Sequence, residues 1–477
     1  MKVKYKILSL FCLAIIFRLI LLFISINSHG YNNFINDILL TPGNDPYTYN
    51  QLAKNIIEYK SFTYAEGLPP VSLRTPGYPL FIALIYMLFG INPIIVILVQ
   101  ILLDSLIVIL IFLITKNFLT LRLSILTAFL YAIEPHASIF SLSMYSDTFF
   151  VFVLTLFAYF FIKHLYKEQY QTLILSAVLL AVANLIKPSG VFTPIIIIII
   201  LLFKFKEKYK IFIYRSVLFI LTFILILSPW LIRNYNYFNK IFLSTAGDYN
   251  LLVLNITPIK MSQTNLSQNE AIFRLLSEAD SLMGKDNIQP MFNRKPLNYW
   301  EELTLQYDFN KAFYWKKLAF IYISNYPFQF IRFYLIGILH SFGNLGTAIY
   351  SEYFNLKEKT YKFNLKVETS FIEMFNNFFK NKNSTEIFLA LIIFLYLFIV
   401  YTGLIIGIVH FKKLDLTQIK LFLFSFFIYF ILIAGSGGLA RFKLPSIPFY
   451  LIISSVGLFS IYSFITKKIN KIFRNNF

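Results

Sequence analysis

Residues 92–115 read NPIIVILVQILLDSLIVILIFLIT, and Asp104 is the one charged side chain among them. A helix of this length crosses a hydrocarbon layer of ~30 Å. Similar runs recur along the chain, which is 58% hydrophobic and only 14% charged over its 477 residues. One soluble core cannot hide that much apolar surface, so a bilayer has to take up the excess. We therefore predict an all-α polytopic membrane protein.

The apolar runs predict a bundle of about ten transmembrane helices. Three lysines precede the first run and no small-residue cleavage site follows it, so we expect an uncleaved first span. The single cysteine, Cys12, lies inside this span and gives no disulfide framework. The predicted spans cover residues 7–27, 92–115, 119–133, 143–163, 171–186, 190–203, 211–231, 386–410, 416–434 and 443–465.

Lysine and arginine residues set the predicted orientation. They cluster in short loops beside the spans, so the formal net charge of +20 is a topology signal and predicts no nucleic-acid partner. Under the positive-inside rule both termini are cytoplasmic. The predicted divisions are an N-terminal bundle at 1–231 with outward loops at 28–78 and 134–146, an outward segment at 232–385, and C-terminal spans at 386–477.

The outward segment contains one apolar stretch whose location the charges decide. Tyr326–Tyr350 carries Arg332 and His340. A full span there would move Lys412 and Lys413 to the outer side, against the charge rule. We therefore expect a helix that lies in the outer interface.

Asp45 is the first candidate for chemistry. It follows the first span in Asn44-Asp45-Pro46-Tyr47, where a carboxylate would meet the outer membrane surface. Asp before Pro is also a good helix start, so a role for Asp45 as N-cap is favoured on the residues alone. The two roles are compatible, because a capping aspartate at the mouth of a site can also accept a proton.

Four outward loops each supply a cation: Arg74, Lys187, Arg233 and Arg441. A positive charge on the outer side opposes the usual trend and needs a partner, for which a phosphate is suitable. Arg74 precedes a Pro-Gly-Tyr-Pro turn, which holds the backbone stiffly. The alternative role of Arg74 is an interfacial anchor whose charge reaches the lipid headgroups.

Residues 134–147 contain two carboxylates and a histidine but no lysine or arginine. Asp147 is a candidate for chemistry or a simple cap of the fourth span. His136 is a candidate for substrate contact, although a lone histidine is more often a polar loop residue.

Within the second span, Asp104 and Gln100 share one helix face. An intramembrane carboxylate suggests function, but a buried structural hydrogen bond explains it equally well. A metal site is not indicated, because the outer loops offer no histidine pair at ligand spacing and no Asp-X-Asp.

Five motifs occur in a defined order along the chain: Asp45 after span one, the turn 74–79 with Leu88-Phe89-Gly90, Pro135 and an acidic residue before span four, Pro229-Trp230-Leu231-Ile232-Arg233-Asn234-Tyr235, and Arg441-Phe442-Lys443-Leu444-Pro445. Their order and topology resemble the GT-C superfamily. Within it, the chain is similar to the branch that contains protein O-mannosyltransferases and the lipid A aminoarabinose transferase. The likeness covers about residues 1–240 and 386–465.

The resemblance implies an integral membrane enzyme that moves a sugar from a polyprenyl-phosphate carrier to an acceptor on the outer side. It places Asp45 at the position of the candidate base and Asp147 at a second acidic position. Arg74 and Arg441 match basic positions near the donor phosphate, and we add Lys187 and Arg233 as further phosphate contacts. We assign substrate contacts to Tyr47, Tyr78 and His136.

Two departures from the family leave the acceptor open among lipid, glycan and protein. The first loop has no Asp-Glu pair of the protein mannosyltransferase kind, and there is no clear C-terminal soluble domain. A lipid-linked glycan polymerase is an alternative that also needs outer arginines. A flippase or transporter of a lipid-linked sugar is a second alternative, and Asp104 is the one good point in its favour.

Overall fold

Helices account for the architecture. The computed structural model describes residues 2–284, 299–356, 383–411 and 416–475, and these residues contain helices and turns but no strand. The predicted all-α membrane fold is confirmed. In chain order the α-helices are α1 (Lys2–His29), α2 (Asp45–Glu58), α3 (Gly77–Phe89), α4 (Pro93–Thr115), α5 (Leu121–Ala132), α6 (Pro135–Phe140), α7 (Asp147–Lys167), α8 (Tyr170–Ile186), α9 (Thr193–Lys204), α10 (Tyr209–Phe238), α11 (Ala246–Asn250), α12 (Thr257–Thr264), α13 (Gln268–Leu282), α14 (Tyr299–Gln306), α15 (Phe309–Asn325), α16 (Pro327–Gly343), α17 (Thr347–Tyr353), α18 (Ser384–Phe411), α19 (Thr417–Ile433) and α20 (Ile447–Asn475).

Six helices of the described residues are long and apolar enough to cross a bilayer. Each coincides with a predicted span, and the protein is an integral membrane protein. The other four predicted spans contain shorter apolar helices, namely α5, α8, α9 and α19. The six long segments are Val3–His29, Pro93–Thr115, Asp147–Lys167, Tyr209–Phe238, Ser384–Phe411 and Ala440–Thr466.

Two elements differ from the sequence prediction. Helix α3 is an apolar helix of 13 residues that the sequence analysis did not assign to any span, although it is about as long as α5 and α9. The apolar stretch 326–350 forms two helices, α16 and α17, because Gly346 between them adopts a φ of 67°. Lys412 and Lys413, whose charges decided its predicted location, lie outside the described residues.

Two small apolar clusters lie in residues 28–78 and 232–385, the two segments predicted to face outward. Leu52, Tyr64 and Val71 of the first loop pack with Leu303 of α14. A second cluster inside the segment surrounds Trp315, which is 1% exposed. Buried side chains therefore fix residues 28–78, including α2, against the segment 232–385.

Helices α18 and α20 pack closely through glycines. A Cβ atom on Gly407 would lie 2.1 Å from the carbonyl oxygen of Ile453, and one on Gly457 would lie 2.0 Å from that of Gly403. Small residues spaced four apart allow helix backbones to approach in this way inside a membrane.

We expect Gly407→Val to destabilise the protein by about 1–3 kcal/mol, because the two helix backbones must separate to admit the side chain. The unfolding temperature of the purified protein in detergent measures the loss. Gly247→Ala is the control, since a Cβ there meets no atom within 4 Å. Equal unfolding temperatures for both variants would contradict the packing argument.

Candidate functional site

Asp45 opens helix α2 and faces two arginines. The N-cap position belongs to Asn44, which has an extended backbone and makes no side-chain capping bond. The hypothesis that Asp45 is the N-cap is therefore wrong, although its place in the first turn still favours a negative charge. Its carboxylate instead accepts one hydrogen bond from Nη2 of Arg74 at 2.5 Å and one from Nη2 of Arg441 at 2.9 Å.

The two guanidinium groups determine the charge of Asp45. Burial raises the pKa of this carboxyl, but the positive charges of Arg74 and Arg441 outweigh burial and hold it well below its ordinary value. Asp45 is therefore ionised at neutral pH. Its side chain is 25% exposed, so the ion pairs lie at an accessible surface rather than in the core.

A second ion pair lies beside the first. Nζ of Lys187, just after α8, donates to Oδ1 of Asp147, the first residue of α7, at 2.5 Å. Phe442 connects the two pairs, because Lys187 Nζ lies 6.0 Å and the Arg441 guanidinium carbon 5.5 Å from the centre of its ring. We call Asp45, Arg74, Asp147, Lys187 and Arg441 the charged cluster.

Aromatic rings support both arginines. The guanidinium carbon of Arg74 lies 4.9 Å from the ring centre of Tyr49, and that of Arg441 lies 4.6 Å from the ring centre of Tyr145. The sequence analysis missed both tyrosines and Phe442. Spacing offered a signal for Tyr49, which follows Asp45 by one helical turn and so shares its face.

The loops that carry Arg74 and Lys187 are joined directly. The hydroxyl of Thr75 donates to the carbonyl oxygen of Ile186 at 3.2 Å. Gly77 lies against the same backbone, where a Cβ would come within 2.7 Å of Leu185 and Ile186 atoms. Only glycine allows this approach, which sets the spacing between the two ion pairs.

Arg233 lies apart from the charged cluster. Its Nη1 donates to the carbonyl oxygen of Val71 at 3.0 Å and to the side chain of Asn234 at 2.7 Å. Its guanidinium carbon lies 4.6 Å from the ring of Trp230. Arg233 therefore holds the loop segment that leads from Val71 to Arg74, and its side chain contacts no member of the charged cluster.

The three residues assigned to substrate contact have different surroundings. Tyr78 is fully buried, donates to Oε1 of Gln100 at 2.6 Å and packs edge-on against Tyr49. His136 is also fully buried, between the Glu134 carboxylate and the carbonyl oxygen of Asn344. Tyr47 is partly exposed and packs against Tyr299 of α14. Of the three, only Tyr47 is open to solvent on the structure as it stands.

Asp104 has a structural partner that the sequence analysis did not name. Its Oδ2 accepts from Nε of Arg18 at 2.5 Å and its Oδ1 accepts from the hydroxyl of Tyr131 at 2.8 Å. Arg18 is fully buried and Asp104 is 2% exposed. The pair ties α1 to α4 and explains the intramembrane carboxylate without transport.

Across the ranges that the structure describes, no group of three or more His, Cys, Asp or Glu side chains is placed to hold a metal ion. Both carboxylates of the charged cluster are instead paired with cationic side chains.

Known proteins with a similar sequence or structure identify the fold of this chain. Residues 73–233 match the model of the dolichyl-phosphate-mannose-protein mannosyltransferase family. The archaeal oligosaccharyltransferase AglB from Archaeoglobus fulgidus, in complex with an inhibitory peptide and a dolichol-phosphate, is similar over 99% of this chain and 52% of its own, with a TM-score of 0.50 and 15% identity. The chain has the GT-C fold. The resemblance predicted from the motifs is therefore confirmed.

Two further solved structures are similar to this chain at low sequence identity. The same oligosaccharyltransferase tethered with an acceptor peptide has a TM-score of 0.51 at 15% identity over 96% of this chain and 50% of its own. ArnT from Cupriavidus metallidurans, bound to undecaprenyl phosphate, has a TM-score of 0.40 at 14% identity over 94% of this chain and 76% of its own. The chain spans about half the length of the oligosaccharyltransferase. No curated protein matches the sequence.

The matched family range bears on the site. It contains six of the predicted residues, namely Arg74, Tyr78, His136, Asp147, Lys187 and Arg233, whereas Asp45, Tyr47 and Arg441 lie outside it. The mannosyltransferase family and the oligosaccharyltransferase are both glycosyltransferases, in agreement with the enzyme class that the sequence predicted.

Proposed function

We propose that this protein is a glycosyltransferase that moves a sugar from a polyprenyl-phosphate donor to an acceptor on the non-cytoplasmic side of the membrane. One observation carries the proposal: loops distant in sequence bring three cations and two carboxylates into the charged cluster. The family match and the dolichol-phosphate bound to the archaeal oligosaccharyltransferase support a lipid-phosphate donor.

The cluster has the groups that such a transfer needs. A sugar on a lipid phosphate already has a good leaving group, so no second acid has to protonate it. Asp45 would take the proton from the acceptor hydroxyl while the hydroxyl oxygen attacks the anomeric carbon of the donor sugar. Arg74, Arg441 and Lys187 would stabilise the negative charge of the departing phosphate. Direct attack inverts the configuration of that carbon.

Asp147 is proposed as a positioning residue. It lies 3% exposed beneath Lys187 and contacts its ammonium group at 2.5 Å, which fixes the direction of this cation. Arg233 has the corresponding role for Arg74, because it holds the carbonyl oxygen of Val71, three residues earlier in the chain. Tyr47 is proposed as a substrate contact on the exposed side of α2.

Arg74→Ala is expected to weaken the binding of a polyprenyl phosphate by roughly 10- to 100-fold, because it removes a charge-assisted hydrogen bond to the phosphate. Titration of the purified protein with undecaprenyl phosphate measures the affinity. Lys311→Ala is the matched control, since Lys311 pairs with Asp280 in the outward segment and not with the cluster. Unchanged affinity in Arg74→Ala would contradict its role.

Donor hydrolysis or transfer provides the test of the reaction itself. The purified protein is incubated with polyprenyl-phosphate sugars, with and without candidate lipid, glycan and protein acceptors. We expect free polyprenyl phosphate to be released and to increase when the correct acceptor is present. No release from any donor would contradict the proposal and favour transport. A lipid-linked glycan polymerase would give the same release with a growing glycan as acceptor.

A further inference from the structure

The carboxylate proposed as the base already occupies one terminal nitrogen of each of the two arginines that would bind a phosphate. Nη2 of Arg74 and Nη2 of Arg441 both donate to Asp45. The Nε atoms of the two arginines are buried and have no hydrogen-bond partner, so a ligand from outside can reach only the terminal nitrogens. A guanidinium binds phosphate best through two parallel N–H groups. On both arginines, one suitable group is already committed to Asp45.

We propose that the donor phosphate competes with Asp45 for Arg74 and Arg441, so that donor binding is the event that frees Asp45 to accept a proton. This inference rests on the proposed function. In the free protein the carboxylate is held in two ion pairs and is a poor proton acceptor. Once the phosphate takes both guanidinium groups, Asp45 is left facing the acceptor hydroxyl with the neighbouring positive charge neutralised.

The surroundings of the charged cluster favour replacement of Asp45 by the phosphate over binding of the phosphate beside Asp45. Tyr49 packs over Arg74, and Tyr145 and Phe442 pack over Arg441. The Arg74 side chain is 16% exposed and the Arg441 side chain 22%, which leaves little guanidinium surface for a second anion beside Asp45. Two anions on one pair of arginines would also repel each other. The order donor first, acceptor activation second, follows.

Asp45→Asn tests the competition through binding rather than turnover. The variant keeps the size of the side chain but removes the anion that holds the arginines. We expect undecaprenyl phosphate to bind about ten-fold more tightly than to the wild type, because the arginines no longer have to leave a carboxylate. Calorimetric titration of both proteins in the same detergent at neutral pH gives the two dissociation constants.

Glu352→Gln is the matched control for net charge. It also removes one negative charge near Tyr145, but Glu352 forms no ion pair with either arginine. Its affinity for undecaprenyl phosphate is expected to stay within about two-fold of the wild type. An equal gain in Glu352→Gln and Asp45→Asn would mean a general charge effect and would overturn the competition.

A second variant covers the case in which Asp45→Asn does not fold. Asp45→Ala also removes the anion and is expected to show the same gain. An affinity for undecaprenyl phosphate that is equal to or weaker than that of the wild type, in whichever variant folds, overturns the competition while the proposed function stands. If the wild type itself does not bind undecaprenyl phosphate, the competition and the proposed function both fail.

Discussion

Asp45→Asn is expected to lower the rate of sugar transfer by roughly 10²- to 10⁴-fold, the contribution of one positioned base. An amide cannot take a proton from the acceptor hydroxyl, although it occupies the same volume between Arg74 and Arg441. The measurement is the initial rate of polyprenyl phosphate release in the presence of acceptor. A normal rate in correctly inserted protein would remove Asp45 from the chemistry.

The control for this variant is another aspartate in an ion pair. Asp280 of α13 pairs with Lys311 of α15 at 2.9 Å, in the outward segment and away from the charged cluster. Asp280→Asn makes the same chemical change and removes the anion of a partly buried ion pair, whose lysine and aspartate side chains are 19% and 16% exposed. We expect its transfer rate to remain near that of the wild type. A comparable loss in both variants would indicate a general effect on folding.

Arg18→Met is expected to destabilise the protein by about 3–5 kcal/mol, because it leaves the carboxylate of Asp104 buried without its cation. The bond from Arg18 to the carbonyl oxygen of Ala132, at the end of α5, is lost as well. The unfolding temperature in detergent and the yield of folded protein both report the change. Arg122→Met is the control, since Arg122 lies at the exposed start of α5.

A double variant separates charge from packing at this site. Arg18→Met combined with Asp104→Leu removes both charges, and replacement of a whole buried pair by apolar residues is often neutral. We expect it to be more stable than Arg18→Met alone, with a remaining loss from the unpaired hydroxyl of Tyr131. A double variant as unstable as the single one would show that side-chain shape, and not the unpaired charge, causes the loss.

The sequence predicted the helices better than it predicted the contacts between them. Apolar length located the spans because each must match the thickness of a bilayer. Helix α3 was not predicted, because its first residues, Gly77 to Pro79, were interpreted as a turn. Arg18 was overlooked inside the first span, and no local pattern connects it with Asp104 on a different helix.

The charged cluster was predictable in its members but not in its pairing. The predicted topology assigned Arg74, Lys187 and Arg441 to one membrane surface, and the motifs shared with the family added the two aspartates. The same argument placed Arg233 with them, because a topology assigns a side and not a distance. In the structure Arg233 instead donates a hydrogen bond to the carbonyl oxygen of Val71. The burial of Tyr78 and His136 likewise depends on helix packing, which a single sequence does not encode locally.

The distance along the chain between Asp45 and Arg441 determines when the site is completed during biosynthesis. These partners are 396 residues apart, and Arg441 lies at the start of the apolar segment Ala440–Thr466. A nascent chain that has been made as far as α10 already holds Asp45 and Arg74, together with Asp147 and Lys187. Since chains fold from the N-terminus as they are made, a half-synthesised protein carries an unfinished site. Docking of the apolar segment that carries Arg441 therefore completes the charged cluster, long after Asp45 and Arg74 have been made.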